Sequence, residues 1–264
     1  MLYLNNIKTI DSHAHLSMNV FDEDRDQVVQ RAKRHGVIAI VNPTINSEDF
    51  VKAVRIREQY REILHIALGL APQRATKTDL MKVLELARNY RNEFIAIGEC
   101  GLDFYWVRDI NEIKLMREIF RSMLQLAVEY RLPVIIHART AFGHNAYREV
   151  MRLLEEYGVE DAVFHAFLGS KADMREITKR GWYISFPTVY VRRKDLWGII
   201  MEAPIDYILI ETDSPYLAPQ KGIRNEPANV VMLVELIARL KNMDKFDVAD
   251  IILRNTRDLF RIQI

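Results

Sequence analysis

Two histidines stand one residue apart, His13 and His15. Alternate residues of an extended chain face the same side, so both imidazoles can converge on one ion. His137, His165, Glu99 and Asp213 belong with them, because each ends or follows a short apolar run that reads as a strand. Neutral imidazole suits zinc and its neighbours, and carboxylates add affinity for Mg²⁺ and Mn²⁺. Four histidines and two carboxylates exceed the three protein ligands of a mononuclear catalytic site. That surplus points to two divalent ions bridged by a carboxylate. Such a centre can orient a nucleophilic water and neutralise charge on an attacked phosphoryl or carbonyl oxygen. A lone histidine at a strand end is more often a hydrogen-bonded core residue. Six ligand-capable groups at the ends of five strands are a different matter, since unrelated core placements would scatter between both ends of a sheet.

The elements that must position them recur as a strand-like run followed by an amphipathic segment. Strands are expected at Ile7–His13, Val37–Asn42, Ile63–Leu70, Ile95–Glu99, Val134–His137 behind Pro133, Ala162–His165, Trp182–Ser185 and Tyr207–Glu211. A charged helix from about Asp24 to His35 is stopped by Gly36. A long helix is expected to open near Asn111 as its N-cap, with Met116, Phe120, Leu124 and Ala127 on one face. Packing helices are expected at Asn229–Leu240 and Asp244–Phe260. Short apolar strands alternating with helices argue for parallel βα units with right-handed crossovers. Eight such units predict an α/β fold, one TIM (β/α)8 barrel forming a single domain over residues 1–264. In that fold the C-terminal strand ends share one pocket.

Composition narrows the class. The 264 residues are 49% hydrophobic, which excludes a disordered, collagen-like or coiled-coil chain. The longest charge-free stretch, Gly36 to Ser47, is about a dozen residues, short of the roughly 20 that span a bilayer. No basic segment with an apolar core opens the sequence, and the one cysteine, Cys100, cannot form an internal disulfide, so a cytoplasmic setting is expected. With 37 Lys+Arg against 36 Asp+Glu, the formal net charge of +1 gives no global basic footprint. A polyanion would have to be met by a local patch or by a metal. Phosphate-loop, Rossmann and Gly-x-Ser-x-Gly patterns are absent from the sequence.

The segments Asp11-Ser12-His13-Ala14-His15-Leu16, Gly98-Glu99-Cys100-Gly101-Leu102-Asp103, Leu132-Pro133-Val134-Ile135-Ile136-His137-Ala138-Arg139, Phe164-His165-Ala166-Phe167-Leu168-Gly169-Ser170 and Glu211-Thr212-Asp213-Ser214-Pro215 occur in that order. Together with Arg224-Asn225-Glu226-Pro227 they resemble the successive motifs of the TatD family. The resemblance implies an amidohydrolase-like barrel with divalent-metal-dependent nuclease activity, typically on DNA ends. It implies that His13, His15 and Asp213 hold one metal, that His137 and His165 hold the second, and that Glu99 bridges the pair. Asp213 would also take the proton of the attacking water, which makes Asp213 and Glu99 the expected catalytic residues. The same motifs imply substrate contacts from Arg139, Arg224, Asn225 and Asp103. A guanidinium such as that of Arg139 suits a phosphate through its planar fork. Asp103 could instead orient a metal ligand or cap its loop.

One position departs from the pattern. The family's Gly-x-His-Pro motif reads Gly69-Leu70-Ala71-Pro72, with Ala71 in place of the histidine. That position lies outside the six expected ligands. It leaves open a second reading, hydrolysis of a small ester, lactone or amide. Cys100 beside Glu99 reads as buried packing more than as a soft ligand. His35 and His65 read as structural, whereas His144 lies in a loop that substrate could reach. Two basic groups, Arg192-Arg193-Lys194 and Lys221 with Arg224, are the expected local patch for single-stranded DNA. Tyr105, Trp106 and Phe186 are the rings expected to stack bases beside it.

Overall fold

The computed structural model describes residues 7–73 and 75–263. Eight parallel strands pair in chain order: β1 (Thr9–Asp11), β2 (Val37–Pro43), β3 (Leu64–Leu68), β4 (Ala96–Asp103), β5 (Val134–Arg139), β6 (Ala162–Phe164), β7 (Tyr183–Pro187) and β8 (Ile208–Glu211). Around them lie α1 (Arg25–Arg34), α2 (Ser47–Gln59), α3 (Lys77–Asn89), α4 (Ile110–Tyr130), α5 (Ala146–Tyr157), α6 (Lys171–Lys179), α7 (Trp197–Glu202), α8 (Val231–Lys241) and α9 (Lys245–Phe260). The barrel closes where β1 meets β8. There Ser12 N donates to Ile210 O at 3.1 Å, Asp213 N to His13 O at 2.9 Å and His15 N to Ser214 O at 2.8 Å. This is the expected (β/α)8 barrel.

Two apolar layers follow from strand alternation. Ile10, Ala39, Val41, Ala67, Ala96, Ile135, Val163 and Leu209 fill the barrel interior, where Leu259 and Phe260 of α9 pack against them. The opposite strand faces, including Ile40, Ile97, Ile136 and Ile184, pack against the helices. The α4 stripe of Met116, Phe120, Leu124 and Ala127 is buried in that outer layer. Burying a ring such as that of Phe120 contributes about 1.5–3 kcal/mol.

Several element ends differ from the sequence expectation, and three of the differences have a local cause. β1 is shorter, because after Asp11 the chain leaves the regular ladder to lay His13 and His15 across the barrel mouth. The α4 cap is Asp109, whose Oδ1 accepts from the amides of Asn111 at 2.8 Å and Glu112 at 3.2 Å; Asn111 lies inside the helix. β4 runs on to Asp103, well past Glu99. Its pairing with β5 slips between Ile97↔Val134 and Cys100↔Ile136, so that Gly98 and Glu99 stand opposite Ile135 alone, which is a β-bulge. Ile97 and Cys100 therefore both face the helices, and the residue between them that carries a side chain, Glu99, falls on the inner face. Gly98, at φ 147°, permits this, since a Cβ there would meet the Ile135 side chain at 2.6 Å.

Candidate metal centre

The first half of the site is built on the β1/β8 seam. His13 and His15 place their Nε2 atoms 3.1 Å apart. Asp213 Oδ1 lies 3.6 Å from the first and 3.5 Å from the second, and Glu99 Oε2 lies 3.6 and 3.5 Å from the same two atoms. An ion holding nitrogen and oxygen ligands at roughly 2.0–2.2 Å in a tetrahedron needs them about 3.3–3.6 Å apart. The four nitrogen–oxygen separations meet that demand and the two nitrogens lie slightly closer; the ligand atoms of His13, His15 and Asp213 all fall within 4.8 Å of one another, as do those of His13, Glu99 and His165. His15 Nδ1 donates to Pro43 O at 3.1 Å, which leaves the Nε2 lone pair of the neutral ring turned inward. Asp213 is held at φ 55°, a left-handed conformation that aspartate tolerates better than most residues. Behind the ligands, Asp11 on β1 accepts from both the amide (2.9 Å) and the hydroxyl (2.6 Å) of Thr212, tying the two strands together.

The second half draws on β4, β5 and β6. Glu99 Oε1 lies 2.8 Å from His137 Nδ1 and 3.3 Å from His165 Nε2, and the two ring nitrogens are 3.2 Å apart. Glu99 thus presents one oxygen to each half, as a bridging carboxylate would. His137 Nε2 donates to Asp103 Oδ2 at 2.9 Å, so its Nδ1 faces the site. His165 Nδ1 faces Glu211 Oε1 at 3.5 Å, and that oxygen also accepts from the Ala166 amide at 2.6 Å.

Charge in this cluster is mutually compensated. Burial alone would raise the Glu99 carboxyl, but His165, His13 and His137 outweigh it and hold it well below the usual carboxylate range. Asp213 is likewise lowered: burial opposes, and the facing imidazoles of His15, His13 and His165 prevail. His13 is pushed down, first by burial and then by repulsion from His165. His165 moves well up despite burial, because Glu99 and Glu211 face it. The two carboxylates are accordingly ionised at neutral pH, the state in which they could hold a cation.

Other expected site residues land elsewhere. Asp103 is fully buried and spent on protein contacts: besides His137, its Oδ1 accepts from the amides of Tyr105 and Trp106 at 3.0 Å each. It orients a histidine and caps its loop, and it is not among the residues lining the cleft. Asn225 is also fully buried; its amide donates to Thr188 Oγ1, Thr212 O and Tyr216 O at 2.7–2.8 Å, which organises the loop after β8. Arg224 forms a two-pronged ion pair with Asp24 and donates to Val20 O at 2.6 Å, with its guanidinium over Phe21. Arg193 is paired with Asp195. Two of the five cations of the expected patch on the loops after β7 and β8 are thus paired with acids, while among the described residues Arg192, Lys194 and Lys221 have no carboxylate within 4.0 Å. Phe186 is buried against Tyr190, and His144 stacks on buried Phe104 at 4.6 Å. Cys100 is buried in the outer layer. Arg139 does line the cleft above the cluster, together with Trp106, Ala71 and Tyr216.

Two contributors escaped the sequence reading. Gln73 Nε2 donates to Asp103 Oδ2 at 3.1 Å and sits 3.2 Å from His137 Nε2. Only its place, two residues past Ala71 on the loop after β3, hinted at this. Glu211 backs His165 from inside β8; its position two residues before Asp213 was the available signal.

Comparison with known proteins agrees with this geometry. A family model described as TatD related DNase matches residues 10–261. The uncharacterized metal-dependent hydrolase YabD of Bacillus subtilis is 36% identical over 96% of this chain and 98% of its own length. The human deoxyribonuclease TATDN3 is 33% identical over 95% of this chain and 94% of its own. The crystal structure of YJJV, a TatD homologue from Escherichia coli, superposes with a TM-score of 0.87 at 26% identity, covering 97% of this chain and 99% of that one. With the family motif spread over nearly the whole barrel, the chain belongs to the TatD-related DNase family.

Proposed function

We propose that this chain is a single-domain, metal-dependent deoxyribonuclease that holds two divalent ions (Mg²⁺, Mn²⁺ or Zn²⁺) and hydrolyses DNA from the end of a strand. The observation that carries this reading is the spacing of ligand atoms, 3.1–3.6 Å within the seam half, with Glu99 shared between halves. His13, His15 and Asp213 would hold one ion, His137 and His165 the other, and Glu99 both. When bound, the ions would supply positive charge to the attacked phosphoryl oxygens and to the attacking water. Asp213, ionised and at the cleft surface, takes the proton that the water loses. Arg139, with its guanidinium in the cleft, receives a phosphate. The cleft, at about 1260 Å³, is larger than the roughly 300–1,000 Å³ of most small-molecule pockets, which favours a polymer. The single buried thiol of Cys100 suits a cytoplasmic enzyme.

Ala71, where the family motif has histidine, favours the second reading, a small carbonyl substrate, because it takes an imidazole away from that position of the cleft wall. One experiment separates the two. Metal-loaded protein is incubated with end-labelled single-stranded DNA and, in parallel, with esters, lactones and amides. Stepwise shortening of the DNA, lost in Asp213→Asn, is expected. Turnover confined to the carbonyl compounds would remove the nuclease assignment.

A further inference from the structure

The rim beside β4 and β5 carries an arrangement that the metal centre does not explain. Trp106 is 62% exposed and Phe142 65% exposed, with Tyr105 between them at 37%. Tyr105 and Phe142 lie nearly parallel, 17° apart with centroids at 6.4 Å, and Tyr105 meets Trp106 edge-on at 5.0 Å. Two guanidiniums lie over these rings. Arg139 sits 4.1 Å above Tyr105 and 5.9 Å from Trp106, and Arg108 sits 4.5 Å from Phe142 and 5.6 Å from Tyr105. Among the described residues neither arginine has a carboxylate partner within 4.0 Å, in contrast to Arg31, Arg117, Arg193 and Arg224.

This ledge is held in place. The Asp103 carboxylate that orients His137 also binds the amides of Tyr105 and Trp106. In the loop after β5, Ala141 and His144 form a local bridge, with His144 stacked on buried Phe104, and the turn between them fixes Phe142 at φ 50°. A left-handed conformation at a bulky residue costs of order 1–2 kcal/mol, and here it serves to hold an apolar ring in water. Arg108 Nε donates to Tyr105 O at 3.0 Å, which leaves its charge without an acidic partner. Solvent-facing rings held rigid, with cations that no acid neutralises among them and a cleft adjoining, make a stacking surface for flat, anionic polymers.

We propose that Trp106, Tyr105 and Phe142, with Arg139 and Arg108, form a base-stacking subsite that grips the nucleobases of a single strand next to the phosphate being cleaved. The inference rests on the nuclease reading and adds to it that recognition is through base faces and indifferent to sequence. Duplex DNA cannot use such a surface, because its bases already stack on one another. Stacking contributes about 1–3 kcal/mol per base, enough for roughly fivefold to hundredfold in affinity.

The test is equilibrium binding by fluorescence anisotropy, with the 264-residue chain in EDTA so that no strand is cut. The probes are a labelled oligothymidylate of about a dozen nucleotides, a length in the range such grooves cover, and the same backbone carrying abasic sites. The wild-type protein is expected to bind the thymidylate at least about tenfold more tightly than the abasic strand. The double variant Trp106→Ala/Phe142→Ala should lose that preference while binding the abasic strand as before. Both positions are exposed, and circular dichroism checks the fold. Equal binding of the two probes by wild type, or a preference that survives in the double variant, overturns the subsite. If wild type binds the thymidylate and abasic strands equally while the metal-loaded protein still cleaves DNA, the subsite alone falls; if it neither binds nor cleaves, the nuclease reading falls with it.

Discussion

On the β1/β8 seam, the ligands His13, His15 and Asp213 are placed by main-chain hydrogen bonds between strands, and the arginine of the adjoining loop, Arg224, is neutralised by Asp24. On the β4–β6 side, His137 is partly exposed and its ring is set by Asp103, which Gln73 in turn holds, while Arg139 above it has no acidic partner among the described residues. The seam side is thus tied down through its main chain, and the arginine of its adjoining loop is already paired. The β4–β6 side keeps donors, rings and charge available, and that is where a ligand would be met.

Mutations can break or sharpen this contrast. The largest effect is expected from Glu99→Gln, which removes the carboxylate common to both sides. Hydrolysis should fall by about three orders of magnitude or more, and metal content from two ions to at most one. Unchanged metal content would mean that the two halves do not share Glu99. Next, Asp103→Asn should weaken the ion on the β4–β6 side about 10- to 100-fold by titration calorimetry, because a ligand histidine loses its orienting partner. The seam ion should be spared; equal weakening of both would erase the distinction. The smallest effect comes from paired arginine variants. Arg139→Ala should raise KM severalfold and reduce the salt dependence of strand binding by about one phosphate contact, a slope change of roughly 0.7. Arg224→Ala should leave KM alone and lower stability by about 0.5–1 kcal/mol, read as a small drop in Tm.

The sequence made some of this legible and hid the rest for physical reasons. Histidines after apolar runs could be read because parallel barrels collect strand ends on one face, and the same rule gave the order of the eight strands. Glu99 was found for an incomplete reason: it does not end its strand, but is turned inward by the bulge at Gly98, for which a glycine inside a strand pattern was the clue. The loop arginines misled because charge in a sequence says nothing of its partner. Arg224 and Asp24 are 200 residues apart and meet only in the fold. Phe186 and Phe142 show the converse, since ring type does not reveal which faces solvent: the first is buried and the second exposed.

The seam also dictates when the centre can exist. Ser12 reaches Ile210 across 198 residues, so β1 stays an open edge until β8 docks beside it. His13 and His15 cannot meet Asp213 before that step, whereas Glu99, His137 and His165 come from three consecutive strands and can assemble earlier in folding. Occupancy of the seam position is thus a signature of a closed barrel. A folding intermediate could carry one ion on the β4–β6 side, but only the completed ring could acquire the second.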